Sequence, residues 1–118
     1  GVQASLRRWF QDTTVSEPAR RATEETLLGN DRESYLACYR VFATADAQIA
    51  PRLSDITAPT LAITGSDDPG STPEMSLRLA SAVPDCQVQI LEDTRHMLPV
   101  QRPDEFVAAL TAFLEENR

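Results

Sequence analysis

The sequence predicts an α/β fold in which a run of helices is followed by a βαβα unit. Two short, mostly apolar segments, at 60–64 and 87–91, predict buried strands. One helical segment opens at Pro73 between them, and another opens at Pro103 after the second. The chain has 118 residues, 42% of them hydrophobic and 25% charged, which suits one small globular domain and excludes general disorder.

Two helices are predicted at the start of the chain. The first covers 4–11 and is expected to break at 12–14. One side of it carries the large apolar residues Leu6, Trp9 and Phe10. The second opens with Ser16 as its N-cap and ends at Gly29-Asn30, a pair that is typical of helix C-termini.

A third helix is predicted to begin after Asp31, which is a favourable capping residue. Its apolar residues recur at intervals of three and four and form one face: Tyr35, Cys38, Tyr39 and Phe42. Leu36 and Val41 lie beside this face and would widen it, so we expect the face to be buried. A short helical turn is predicted at 49–53, where Pro51 interrupts it.

The order strand, helix, strand, helix predicts two parallel strands joined by a right-handed crossover. Parallel strands are usually covered on both faces and belong to larger sheets. A sheet of two strands leaves both outer edges unpaired and is marginal in water. We therefore expect this chain to be the later part of a larger fold.

The charge balance excludes several functions. The net charge is −7 with a pI of about 4.6, which disfavours binding to nucleic acids and to anionic membranes. All 11 basic residues are arginine, so neither a Walker-type phosphate loop nor Schiff-base chemistry has its lysine. Such a composition is also typical of a GC-rich bacterial genome. No apolar run spans a membrane and no secretory signal is recognisable, so a cytoplasmic protein is expected.

The cysteine and histidine counts argue against disulfide and metal chemistry. Cys38 and Cys86 are too few for a disulfide framework and are expected to be free, buried thiols. With His96 as the single histidine, a zinc site built from this chain alone is disfavoured. Asp67, Asp68 and His96 form the one conceivable metal-binding set, and we expect no metal and no cofactor.

Two loops that follow the predicted strands carry the candidate chemistry. The first, from Gly65 to Pro73, contains Asp67 and Asp68, and the second contains His96. In open parallel sheets, ligands bind beyond the carboxyl ends of the strands, where both loops lie. An aspartate beside a histidine fixes the imidazole tautomer and stabilises the imidazolium, which is a general-base arrangement.

These segments resemble a known family. The segment 59–68, followed by a helix that starts at a proline, resembles the penultimate strand and acid loop of α/β-hydrolases. The segments 95–97 and 102–106 resemble the histidine loop and the final helix of that family. The resemblance implies an enzyme with a serine, an acid and a histidine that follow one another in that order along the chain.

Two further segments, 70–73 and 35–46, are similar to the 3-oxoadipate enol-lactonase-like branch of the family, and the resemblance covers about 31–114. It implies the C-terminal βαβα portion of an α/β-hydrolase sheet, preceded by cap-type helices. Residues 1–57 would then be the end of a helical cap, and 58–118 the C-terminal part of the core.

The resemblance also implies roles for individual residues. Asp68, just before a proline, would be the triad acid in preference to Asp67, and His96 would be the general base. Met97 would help to wall the substrate pocket. Arg95 either points outward, paired with Asp93, or binds a substrate carboxylate through its guanidinium.

The nucleophile motif G-x-S-x-G is absent from the sequence, and Ser66 and Ser71 lie in the acid loop. The chain would act on an ester or lactone only with the N-terminal half of the hydrolase fold or another chain, and is expected to be inactive alone. The alternative is a non-catalytic, truncated or complementing module that pairs its sheet edge with another chain. Self-association into a homo-oligomer would favour that alternative.

Overall fold

Helices occupy the first half of the chain and a βαβα unit the second in the computed structural model, which describes residues 1–11 and 16–118. The elements are α1 (Val2–Trp9), α2 (Glu17–Gly29), α3 (Arg32–Thr44), α4 (Asp46–Ile49), a 3₁₀ helix (Ala50–Asp55), β1 (Thr60–Gly65), α5 (Pro73–Ala82), β2 (Cys86–Leu91), α6 (Leu98–Gln101) and α7 (Pro103–Glu116). This order confirms the predicted α/β class.

Helix α1 is shifted from its predicted bounds. It starts and ends two residues earlier than expected, and its earlier end follows from the extended backbone at Phe10 (φ −115°, ψ 142°). Leu6 and Phe10 are almost completely buried, whereas Trp9 is half-buried. The break expected at 12–14 lies outside the described residues.

Helix α2 ends where the sequence predicts but begins differently. Ser16 precedes the helix with helical backbone angles, and its side chain makes no capping bond to α2. Its hydroxyl instead accepts a hydrogen bond from Gln101 Nε2 at 3.1 Å. Ser16 therefore occupies the predicted N-cap position but does not cap the helix through its side chain. The chain leaves α2 through an extended Asn30.

The Asp31 cap of α3 is confirmed, because its carboxylate accepts a hydrogen bond from the Ser34 N–H at 2.8 Å. The prediction that the apolar face of α3 is buried is wrong. Its aromatic residues pack on one another, with ring centroids 6.3 Å apart for Tyr35 and Tyr39 and 5.9 Å apart for Tyr39 and Phe42, yet Phe42 is 76% exposed. The face is covered only in part, because Tyr35 and Tyr39 line a cavity beside residues of α1 and stay half-exposed.

The two free cysteines also differ from expectation. Cys38 lies on the same helix and is exposed, while Cys86 at the start of β2 is half-buried. Both thiols are free, as the sequence predicts, but neither is fully buried. For Cys38 the prediction of burial failed because α3 has no fully buried residue.

Strands β1 and β2 are parallel, with Thr60 opposite Cys86 and Gly65 opposite Leu91. Helix α5 forms the crossover and begins at Pro73, whose missing N–H is harmless in a first turn. The parallel pairing places the carboxyl end of β1 beside that of β2, and the two candidate loops leave the sheet at these neighbouring ends. After the second loop the chain forms a short helix, α6, which was not predicted from the sequence.

The buried core is small. It comprises Leu6, Phe10, Ala62, Val83, Leu91, Leu98 and Ala109. On the final helix α7, Val107 is 58% and Leu114 64% exposed. None of the described helices is long and apolar enough to cross a membrane.

Candidate active site

The acid loop begins where β1 ends, at a turn closed by a hydrogen bond from the Asp68 N–H to the Gly65 carbonyl (3.2 Å). The Asp68 side chain is 3% exposed, whereas its neighbour Asp67 lies on the surface. The Asp67 carboxylate accepts a bond from the Ser66 hydroxyl at 3.3 Å. The loop therefore directs one carboxylate inward and the other toward solvent.

The sequence Asp-Pro-Gly-Ser explains how Asp68 is held. Oδ1 of Asp68 accepts hydrogen bonds from the backbone N–H groups of Gly70 and Ser71, both at 2.9 Å. An aspartate that bonds the backbone two and three residues ahead forms a turn that suits the proline between them. The Thr64 hydroxyl donates to the Ser71 carbonyl at 2.6 Å and closes the loop onto β1.

The histidine loop turns sharply after β2. Asp93 has a left-handed backbone (φ 51°), a conformation that aspartate tolerates better than most residues. Its N–H donates to the Ser66 hydroxyl at 2.9 Å, which joins the two loops. Thr94 is completely buried, and its carbonyl accepts a bond from the Asp67 N–H at 3.0 Å.

The two loops bring His96 onto Asp68. Nδ1 of His96 lies 2.7 Å from Oδ2 of Asp68, so the carboxylate accepts a hydrogen bond from an Nδ1–H. That tautomer leaves a lone pair on Nε2, and no hydrogen bond to Nε2 is formed by any described residue. The His96 side chain is 41% exposed while that of Asp68 is 3% exposed. A buried carboxylate therefore orients a partly exposed imidazole.

The electrostatic environment keeps Asp68 ionised. Burial raises the pKa of the carboxyl, but the N–H of Ser71, the His96 side chain and the N–H of Gly70 together outweigh burial. The net effect lowers the pKa below its ordinary value of 3.8. A carboxylate that stays charged at neutral pH is the form that orients an imidazole and stabilises an imidazolium.

This lowered pKa predicts an acid-dependent loss of stability. Because the folded-state pKa is below the unfolded one, Asp68 stabilises the fold above about pH 4, and this contribution disappears as pH falls through the folded pKa. We expect Asp68→Asn to lower the melting temperature at pH 7 and the difference from the unmodified protein to shrink below about pH 4. Thermal melts at several pH values test this. An equal difference at all pH values would contradict it, and Asp67→Asn, at the exposed neighbour, is the control.

The Arg95 side chain turns toward α1 instead of outward. Its guanidinium donates to the carbonyls of Arg7 and, at 3.1 Å, Phe10 at the end of α1. The expected pairing with Asp93 is therefore wrong. Contact of Arg95 with a substrate carboxylate stays a prediction.

Met97 and Trp9 meet next to His96, where a backbone hydrogen bond joins them. Met97 is half-buried, and its N–H donates to the Trp9 carbonyl at 3.2 Å. The Trp9 ring stacks on the His96 ring, with centroids 5.9 Å apart and planes inclined by 29°. The role of Met97 in a pocket wall stays a prediction. The stacking of Trp9 was missed, because spacing within a helix does not indicate which distant loop a residue meets.

Gly65 was also missed as a site residue. A Cβ built on Gly65 would lie 2.1 Å from the Thr94 carbonyl oxygen and 2.6 Å from that of Arg95. The histidine loop therefore crosses β1 at the one position without a side chain. A glycine at the end of a strand is a recognisable sign of close backbone approach, although it does not name the neighbour.

The described residues contain no cluster of metal-ligating side chains. Across residues 1–11 and 16–118, no three side chains of the histidine, cysteine, aspartate and glutamate types are arranged to hold an ion. Asp67, one of the three residues considered, points away from the Asp68–His96 pair.

Comparison with known proteins identifies the family. Residues 2–109 match the model described as "Alpha/beta hydrolase family". The chain belongs to the α/β-hydrolase family and corresponds to a C-terminal portion of that fold. The resemblance that the sequence motifs carry is thereby confirmed.

Several hydrolases are similar to this chain. Over 97% of its length it is 32% identical to (E)-2-((N-methylformamido)methylene)succinate hydrolase, and 25% identical to 3-oxoadipate enol-lactonase 1, both of Acinetobacter baylyi. The crystal structure of proline iminopeptidase from Mycobacterium smegmatis matches 57% of this chain and 22% of that one, with 33% identity and a TM-score of 0.54. The chain spans 43% and 42% of the lengths of the two Acinetobacter relatives.

Proposed function

We propose that this chain supplies the acid and the base of a serine hydrolase that acts on esters or lactones, with Asp68 as the acid and His96 as the base. The observation that carries the proposal is the 2.7 Å contact between Asp68 Oδ2 and His96 Nδ1, in a histidine whose side chain is 41% exposed. A buried carboxylate, an oriented imidazole and an open second nitrogen are what a general base requires.

The proposed mechanism uses no cofactor. A serine hydroxyl attacks the carbonyl carbon of the ester or lactone while His96 Nε2 takes its proton. Asp68 stabilises the imidazolium, which then gives the proton to the departing alkoxide. Water hydrolyses the acyl-enzyme by the same steps, with His96 again as base, and the serine is restored.

The serine must come from outside these 118 residues. The sequence has no G-x-S-x-G motif. The Ser66 hydroxyl is engaged between Asp67 and the Asp93 N–H, where it holds the two loops together. The relatives are more than twice as long as this chain, which leaves room in them for a nucleophile and oxyanion donors that this chain does not carry.

The free edge of β1 is the proposed attachment site for that remaining segment. Strand β1 buries Ala62, Thr64 and Gly65, whereas β2 buries Leu91 and alternates with the exposed Gln87 and Gln89. Near-continuous burial is typical of strands inside a parallel sheet, and alternation is typical of an edge. We therefore place the rest of the sheet beside β1, with β2 as the outer strand.

The names of the relatives indicate which substrates to test. Two act on a methylene-succinate and on an enol-lactone, as their names state, and a third is an iminopeptidase. The first two support a small carboxylated ester, lactone or amide. The third supports an N-terminal prolyl amide as the competing substrate class.

The test compares this chain alone with the assembled hydrolase, by which we mean this chain joined to the segment that carries the serine. Each is assayed with a lactone, an aryl ester and a prolyl arylamide. We expect the assembled hydrolase to cleave the lactone or the ester and the chain alone to cleave nothing. Turnover by the chain alone that is lost in His96→Ala would overturn the proposal. No turnover by either form would favour a non-catalytic module.

A further inference from the structure

The end of α1 is fastened to the histidine loop at alternate residues of that loop. The Gln11 side-chain amide donates to the Asp93 carbonyl. Two residues on, Arg95 donates to carbonyls of α1, and two residues further the Met97 N–H donates to the Trp9 carbonyl. His96 lies between the last two of these attachments.

The attachment by Arg95 is chemically favourable. The last carbonyls of a helix have no partner within it and carry partial negative charge. The guanidinium of Arg95 meets the carbonyls of Arg7 and Phe10 at this end of α1. It thus satisfies orphan acceptors and holds the backbone of the histidine loop against the helix.

The imidazole itself needs a second constraint. The hydrogen bond to Asp68 fixes Nδ1, but a single bond leaves the ring free to tilt about it, and the His96 side chain is 41% exposed. Trp9 packs against one face of the ring at 5.9 Å. Stacking of this kind limits the tilt and therefore the direction in which Nε2 points.

We propose that Trp9 and Arg95 are positioning residues for His96: Arg95 fixes the loop to α1, and Trp9 fixes the plane of the ring. This inference rests on the proposed function, since it concerns the direction of the nitrogen that takes the serine proton. Displacement of a reacting group by about 1 Å can cost about 100-fold in rate. The helical first half of the chain thereby takes part in setting the geometry of the base.

The direct test uses NMR on the 118-residue chain, which has one histidine and one tryptophan. The His96 ring protons give an unambiguous pair of signals that the stacked Trp9 ring shifts. Trp9→Leu should move both signals to the position of an unstacked imidazole, and Trp9→Phe should restore part of the shift. Arg95→Met should move them in the same direction, although it leaves both rings in the sequence. Arg8→Met, which removes the neighbouring exposed arginine of α1, should leave them in place.

The kinetic test uses the same variants in the assembled hydrolase. Trp9→Leu and Arg95→Met should lower kcat about tenfold or more while KM changes less than about twofold, and Trp9→Phe should recover most of the loss. Melting temperatures identify unfolded variants. The inference would be overturned if the Arg95→Met variant melts at a lower temperature but keeps the His96 signals and kcat unchanged. The assembled hydrolase could show no hydrolytic activity while the His96 signals respond to the variants as expected. That result would overturn the proposed function and leave the positioning of His96 by Trp9 and Arg95 intact.

Discussion

Replacing His96 by alanine should lower kcat of the assembled hydrolase by at least about 1,000-fold while leaving the fold intact. The imidazole is the base that takes the serine proton and the acid that releases the leaving group, so both halves of the reaction lose it. The side chain is 41% exposed, and its removal opens little buried space. Steady-state rates with the best substrate of the panel measure the effect, and a thermal melt checks the fold.

Added imidazole separates loss of the base from loss of structure in this variant. Because His96 is accessible to solvent and Asp68 remains in place, free imidazole should enter the vacated space and restore part of the rate in a saturable manner. Asp67→Asn, at the exposed carboxylate that does not meet His96, should retain normal turnover. A His96→Ala enzyme with near-normal kcat would exclude His96 as the general base.

Replacing Gly65 by alanine should damage both stability and activity. The added Cβ would lie 2.1 Å from the Thr94 carbonyl oxygen and 2.6 Å from that of Arg95, and both obstacles are backbone atoms. The histidine loop must move away from β1, which we expect to lower the free energy of unfolding by about 3 kcal/mol or more. The same movement withdraws His96 from Asp68, so kcat should fall about 100-fold or more.

Gly29→Ala is the matched control, since a Cβ at Gly29 meets nothing within 4 Å. That variant at the end of α2 should have unchanged or slightly increased stability. Urea denaturation of both variants, together with kcat of each assembled hydrolase, tests the difference. Equal stabilities for Gly65→Ala and Gly29→Ala would contradict the close passage of the histidine loop over β1 at Gly65.

The βαβα elements and the Asp68–His96 pair could be predicted because the sequence patterns that indicate them are local. Pro73 marks the start of the crossover helix, and two short apolar segments gave both strands to within one residue. Parallel strands bring the loops that follow them to one edge of the sheet. From this, a carboxylate of the first loop was expected to approach His96. The family resemblance pointed to Asp68, and its carboxylate lies 2.7 Å from the imidazole.

The wrong predictions concern burial and side-chain contacts that depend on residues distant in the sequence. The stripe of α3 has helical spacing, but spacing cannot tell whether another element covers it, and Tyr39 and Phe42 are exposed. Ser16 is a good capping residue, yet its hydroxyl bonds Gln101 from the distant α6. One of the two alternatives for Arg95 pointed it outward, paired with Asp93, whereas its guanidinium reaches the end of α1, more than 80 residues away along the chain.

The account depends most on the claim that Asp68 and His96 activate a serine that this chain does not contain. A fluorophosphonate, which reacts preferentially with activated serines, tests it in the assembled hydrolase by mass mapping of the labelled residue and by the rate of labelling. We predict one labelled serine outside the 118 residues and a labelling rate that falls by at least about 100-fold in His96→Ala. Labelling of Ser66 or Ser71, or an undiminished rate without His96, would contradict the claim.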